Sequence, residues 1–312
     1  MRPFPLDGAL LLFDRDTGWN VLCDGDETAG YAMQAPRAVQ FAITNRCNLA
    51  CTFCSRDVQV DSAWTADSAF AMLAGLAAAG VLEVAFGGGE PWAFPGFGAL
   101  VRRLYDETPL AVSLTTNGLL LTPERLAGIA GRYGQIRLSL YDDNDWRARV
   151  TQLAQAGARF GANWLVTPPR LPELEATVLD LAGRGCRDVL LLSYNGADRA
   201  LHLSPGQSAD LAARVARLAR ALPRVSLKLD VCWGERMEPV PRLMDRADCG
   251  AGREFVVLTS DRQLAPCSFH HLRIPVADAA DVMEAWRARR PELSSAARDP
   301  GCARAPGYGL VG

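Results

Sequence analysis

Histidine is scarce in this chain: His202, His270 and His271 are the only three in 312 residues, and all lie far from the first cysteine-rich segment. A structural zinc site closes four N or S ligands around one ion, so that segment has little to build one from. Long apolar runs are missing too, since no stretch reaches the roughly 18 uninterrupted apolar residues of a membrane span. Met1-Arg2-Pro3-Phe4-Pro5 is not followed by an apolar core and a small-residue cleavage site, so no secretory signal is expected and the expected location is the cytoplasm. Basic residues are scattered and the formal net charge is −2, which argues against a nucleic-acid surface. There is no internal repeat or low-complexity tract, and the Ala/Arg-biased stretch 285–290 reads as an ordinary helix with a solvated face. Cysteine, by contrast, is plentiful. Nine in a cytoplasmic chain of this size point to metal or redox use before disulfides, and 49% hydrophobic content can bury the core of one large domain or one large plus one small.

Three of the nine stand in Cys47-Asn48-Leu49-Ala50-Cys51-Thr52-Phe53-Cys54, directly after the strand-like run 39–44. Three thiolates on one short loop can hold three irons of a [4Fe-4S] cube. The loop has no fourth cysteine, so one iron is left open for chemistry. This arrangement resembles the signature loop of the radical SAM enzymes. The resemblance implies that the open iron chelates the amino and carboxylate groups of S-adenosylmethionine (SAM), and that an electron from the cluster splits the sulfonium to give a 5′-deoxyadenosyl radical. It also puts Phe53 beside the adenine; read alone, Phe53 is equally a core residue.

Further matches follow at strand ends. The strand 81–86 runs into Gly87-Gly88-Gly89-Glu90-Pro91, where glycines permit close backbone approach and a carboxylate can take an ammonium. This is similar to the family's GGE motif, so Gly88, Gly89 and Glu90 are candidates for the SAM amino group; by itself the turn is a tight β-to-α connection. The strand 110–115 ends in Thr116-Asn117-Gly118, similar to a ribose-binding strand end with Asn117 as candidate, or else an Asn-Gly turn. The strand 136–141 ends at Ser139-Leu140-Tyr141-Asp142, and Ser139 with Arg147 or Arg149 is the candidate partner of the SAM carboxylate; the alternative for the arginines is a solvated helix face.

Helical patterns near 65–79, 96–107, 122–131, 145–156, 172–184 and 205–221 alternate with strand patterns near 81–86, 110–115, 136–141, 160–166, 187–193 and 225–231. Together with the strand 39–44 they predict a parallel sheet with covering helices: a partial (β/α)6 barrel whose open side suits a bulky substrate. Expected domains are a β-hairpin extension over 1–38, the barrel over 39–231 and a C-terminal region over 232–312. In that last region Cys249 precedes a predicted hairpin, Cys267 follows it, and Cys302 lies near the C-terminus. The pattern resembles the twitch or SPASM extension, which implies one auxiliary iron-sulfur cluster on Cys249, Cys267 and Cys302. Cys232, His270 and His271 are candidates for its fourth ligand, with a buried thiol or polar surface as the other readings. Cys23 and Cys186 read as structural. Trp64, Trp92, Trp164 and Trp233 read as core or rim packing more than as a substrate mouth.

The resemblance implies an enzyme that abstracts a hydrogen atom, with a ribosomally made peptide as the leading substrate and a small carbohydrate-like metabolite as the alternative. A non-catalytic iron-sulfur scaffold or electron carrier fits less well, since neither needs the Gly88-Gly89-Glu90 and Thr116-Asn117-Gly118 motifs. Implied partners are a reductant such as a flavodoxin or ferredoxin and a separate peptide-recognition protein, because 38 residues are too few for a winged recognition domain.

Overall fold

A computed structural model of the protein describes residues 1–51, 53, 54, 56, 60–196, 198–233 and 249–294. Seven parallel strands follow one another in space as they do in sequence: β4 (Ala38–Thr44), β5 (Glu83–Gly88), β6 (Ala111–Thr116), β7 (Ile136–Ser139), β8 (Phe160–Val166), β9 (Asp188–Ser193) and β10 (Ser226–Leu229). Helices α1 (Ala66–Ala78), α2 (Phe97–Glu107), α3 (Pro123–Gly128), α4 (Trp146–Gln155), α5 (Leu174–Gly183) and α6 (Pro205–Ala221) fill the six connections. The alternation read from the sequence is therefore the architecture of the described chain. β4 carries alternating and adjacent apolar residues because both its faces are covered, with Val39, Phe41 and Ile43 buried on one and Ala38 and Ala42 on the other. Threonine and serine caps with reciprocal bonds at Thr65/Ser68 and Ser204/Gln207 set the starts of α1 and α6.

The N-terminal segment holds three antiparallel strands rather than the expected hairpin alone: β1 (Arg2–Leu6), β2 (Ala9–Phe13) and β3 (Asn20–Asp24). Pro3 and Pro5 argue against a strand at β1, but it is the edge of its sheet, where a missing N–H costs no ladder bond. Gly8, at φ 78°, closes the β1–β2 turn. This small sheet lies across the bottom of the barrel: Arg2 donates to the Gly80 and Val81 carbonyls and Arg15 to that of Thr108, just ahead of β5 and β6. Phe4, Leu6, Ala9 and Leu11 join the barrel core. The end of the barrel away from the cysteine loop is thus covered.

β11 (Phe255–Leu258) adds to the free edge of β4 in parallel, with Phe255 opposite Ala38 and Leu258 opposite Phe41. β12 (Gln263–Ala265) and β13 (Ile274–Pro275) continue the sheet antiparallel, and α7 (Ala279–Ala288) and α8 (Arg290–Ser294) follow. The predicted hairpin is present, and it is continuous with the barrel sheet. Its turn locks onto the segment following the cysteine loop: Trp64 Nε1 donates to the Thr259 carbonyl at 2.9 Å and the Ala63 amide to that of Ser260 at 2.8 Å.

Candidate functional site

The loop after β4 carries Cys47, Cys51 and Cys54, all free thiols, and its two ends are tied by Asn45 Nδ2 donating to the Val60 carbonyl at 3.1 Å. Partial burial pushes the Cys47 thiol up, against a bond from the Leu49 amide, while the Glu90 and Cys54 charges push it further. Burial likewise raises Cys51, followed by the charges of Cys54 and Cys47, so the three sulfurs feel one another. Among the described residues no three Cys, His, Asp or Glu side chains converge on one ion-sized point. A cube asks for something different from a mononuclear ion, because each thiolate binds its own iron.

The glycines of the next strand end are explained by this loop. A methyl on Gly89 would fall 2.6 Å from the Arg46 carbonyl carbon and 2.7 Å from that of Asn45. Gly88, at φ +109°, brings its Cα so close that a methyl would lie 3.1 Å from Ala42 Cα and run into the Thr44 carbonyl. The approach makes two backbone bonds, Gly89 N–H to Thr44 O at 2.6 Å and Glu90 N–H to Arg46 O at 2.9 Å. The end of β5 therefore grips the root of the cysteine loop.

Glu90 is 1% exposed. Its Oε1 accepts from the Trp92 amide at 3.2 Å and Thr116 Oγ1 at 2.8 Å, and its Oε2 from the Asn117 amide at 2.8 Å. Burial raises its pKa, and these three donors pull the other way. With about four lone-pair positions on a carboxylate and three taken among the described residues, one on Oε2 remains for a further donor. Asn117, at the end of β6, sends Nδ2 to Cys47 Sγ at 3.8 Å and to Asn48 Oδ1 at 2.9 Å. Sequence reading missed Asn144, which is fully buried and bridges two strand ends by donating to the carbonyls of Asn117 at 2.8 Å and Ser139 at 2.7 Å. Its signal lay in the polar run 142–145 directly after a strand.

Ser139 is buried at the end of β7, and Tyr141 beyond it packs on Phe53 with ring centroids 5.6 Å apart. Burial and then the nearby thiols push the Tyr141 phenol up to about 12, partly offset by a bond with Ser139, so it stays neutral. The two candidate arginines part company. Arg147 turns outward to Asp180 at 2.6 Å, whereas Arg149 lays its stem over Gly118, donates from Nη1 to Gln152 Oε1 at 3.0 Å and buries an Nε with no partner among the described residues. A buried, unsatisfied guanidinium N–H beside this site suits a carboxylate.

Cys47, Phe53, Glu90, Asn117 and Ser139 thus stand at the C-terminal ends of β4–β7, with Arg149 on α4 beside Gly118. A family model described as the radical SAM superfamily matches residues 41–151. Residues 41–151 are a radical SAM domain. A PqqA peptide cyclase of Bradyrhizobium diazoefficiens is 42% identical over 98 residues, covering 30% of this chain and 26% of that protein. A GTP 3',8-cyclase of Chlorobaculum tepidum is 36% identical over 110 residues, covering 33% of this chain and 32% of that protein. The chain thus spans between a quarter and a third of these curated relatives' length. Streptococcus suis SuiB, solved bound to precursor peptide SuiA, shares the fold with a TM-score of 0.69 at 16% identity, over 81% of this chain and 65% of that one.

Outside the radical SAM domain, Cys249 precedes β11 and Cys267 follows β12, so both lie where β4 begins, while Cys47 follows where β4 ends. The His270 amide donates to the Cys267 carbonyl at 3.4 Å, and the His270 and His271 rings stack 5.3 Å apart. Cys232 follows β10, on the far edge of the sheet, with its amide donating to Asp230 Oδ1 at 3.1 Å. Cys302 lies outside the described residues. Cys186 is fully buried, and Cys23 sits half-buried on β3. Trp64, Trp92, Trp164 and Trp233 are all core residues.

Proposed function

We propose that this chain is an enzyme that reductively cleaves SAM at a [4Fe-4S] cluster held by Cys47, Cys51 and Cys54, and removes a hydrogen atom from a ribosomally synthesised peptide. The observation that carries the reading is the single hydrogen-bonded network joining the cysteine loop to Glu90, Asn117 and Asn144 across the ends of β4–β7. When bound, the cluster and SAM supply one-electron cleavage of a carbon–sulfur bond, giving an adenosyl radical. The chain's own residues do the rest of the work. The three thiols supply soft ligands and leave one coordination site open. The free lone pair of Glu90 Oε2 and the backbone at Gly88 and Gly89 take the SAM ammonium, and Arg149 Nε with Ser139 takes the carboxylate. Phe53, backed by Tyr141, offers an aromatic face to the adenine. The small sheet β1–β3 closes the far end of the barrel, which keeps water from reaching a reactive carbon by that route.

Peptide modification is favoured because relatives named PqqA peptide cyclase and a fold neighbour solved with a precursor peptide stand on this side. The second reading, a small-molecule substrate, has the GTP 3',8-cyclase relative in its favour. The division at 1–38, 39–231 and 232–312 belongs to the same proposal. In it the last region binds an auxiliary cluster through Cys249, Cys267 and Cys302, with Cys232 or His270 as the fourth ligand; His270, bonded through its amide to Cys267, stands closer in the fold. A flavodoxin or ferredoxin as reductant, a separate recognition protein and a cytoplasmic setting complete the proposal; no helix among the described residues is long and apolar enough to cross a membrane. The deciding experiment is anaerobic reconstitution with iron counted per chain and 5′-deoxyadenosine followed after adding SAM and a strong reductant. About eight irons with product are expected for two clusters, and no product from a fully loaded chain would refute the enzyme reading. Turnover of a genomically adjacent precursor peptide, set against none, then separates peptide from small-molecule substrate.

A further inference from the structure

The side chain of Asn117 points at a sulfur. Its Nδ2 lies 3.8 Å from Cys47 Sγ and 2.9 Å from Asn48 Oδ1, one N–H for each acceptor. The amide cannot be turned round, because Oδ1 accepts from the Leu119 amide at 3.0 Å and a flip would set two N–H groups against each other. The backbone is held as firmly. Glu90 Oε2 accepts the Asn117 N–H at 2.8 Å, and Asn144 Nδ2 donates to the Asn117 carbonyl at 2.8 Å. Asn117 is 5% exposed, Glu90 1% and Asn144 0%, so the two bonds that hold the Asn117 backbone are shielded from bulk water, while Cys47 and Asn48 lie on the exposed side of the loop. Four bonds therefore fix one donor on one thiol.

A hydrogen bond to a ligating thiolate stabilises the reduced, more negative state of an iron-sulfur cluster over the oxidised one. We infer that Asn117 raises the reduction potential of the cluster bound by Cys47 through an N–H···S hydrogen bond, and that Glu90 and Asn144 are positioning residues that hold it there. The inference rests on the proposed cluster site and goes beyond it. It gives Asn117 a task that exists before any SAM binds, and it accounts for a buried carboxylate and a buried amide that both hold the end of β6. Its consequence is practical: an easier first electron for a cluster that must be reduced to act.

The test is the midpoint potential of the reconstituted wild-type chain and of Asn117→Leu, both without SAM, by electron paramagnetic resonance along a mediated redox titration. The cluster concerned is identified afterwards as the signal that changes on adding SAM. Losing one such bond lowers the ratio of reduced to oxidised cluster at a fixed potential about twofold to twelvefold, a downward shift of about 20–65 mV for a one-electron couple. Full iron with an unmoved midpoint, whether or not the KM for SAM rises, overturns the inference, because a residue acting only on SAM has no effect in its absence. Where the leucine variant binds less iron, Asn117→Ser carries the same test: its hydroxyl can still accept from Leu119 but is too short to reach Cys47. Failure of the underlying cluster proposal shows earlier and differently, as a wild-type chain with no SAM-sensitive signal at all.

Discussion

Gly87, Gly88 and Gly89 form a ready-made series, because three consecutive glycines meet three different surroundings. A methyl on Gly89 would sit 2.6 Å from one backbone carbon of the cysteine loop and 2.7 Å from another. Backbone cannot swing aside as a side chain does, so Gly89→Ala must push β5 and the loop apart and lose the bonds to Thr44 O and Arg46 O. Two buried backbone bonds at about 0.5–1.5 kcal/mol each, plus about 1–3 kcal/mol for overpacking, give about 2–6 kcal/mol. At about 2–4 °C per kcal/mol, a mid-range loss lowers Tm by about 10 °C. Gly88→Ala forces φ +109° on a residue with a Cβ and costs about 1–3 kcal/mol in strain before any contact is counted. Gly87, by contrast, has none of the described residues within 4 Å of where a Cβ would go and should change stability by no more than about 0.5 kcal/mol. Differential scanning fluorimetry with iron analysis after reconstitution checks the series. The expected order of damage is Gly89, then Gly88, then Gly87 close to wild type, with iron content falling alongside Tm in the first two. A Gly89→Ala chain with wild-type Tm and full iron, or a Gly87→Ala chain as impaired as it, would refute the claim that β5 grips the cysteine loop.

Arg149→Ala should raise the KM for SAM about tenfold to a hundredfold, the scale of a lost charge-assisted bond, and Arg147→Ala should leave it near wild type; equal effects would show that the buried Nε has no special role. Because burial raises the folded pKa of Glu90, its contribution is full below the ordinary carboxylate range and is lost as pH rises through the raised value. Unfolding profiles of Glu90→Gln taken upward from about pH 4.5 should therefore be flatter than those of the wild type, and parallel profiles would count against that sign. Replacing Cys249 and Cys267 together by alanine should remove about half the iron while SAM cleavage persists in uncoupled form; unchanged iron would dispose of the auxiliary cluster.

The parts of this protein legible in its amino-acid order are those whose physics is local. Cys47, Cys51 and Cys54 are close in space because they are close in sequence, and the alternation of strand and helix patterns is written in short-range periodicity, so both the cysteine loop and the six βα units could be read directly. What escaped was whatever depends on partners far along the chain. β1 carries two prolines and reads as no strand until an edge position makes them harmless. β11 pairs with β4 across more than 200 residues, and no local pattern announces such a partner. Arg147 and Arg149 look alike in sequence, but on a helix two residues lie about 200° apart, so one meets Asp180 and the other Gly118. The glycines announce a close backbone approach, and only the fold shows that what approaches is the root of the cysteine loop. Asn117 could be seen as a strand-end asparagine from sequence alone; that its amide faces Cys47, pinned by Glu90 and Asn144, follows only once three strand ends from separate parts of the chain are brought side by side.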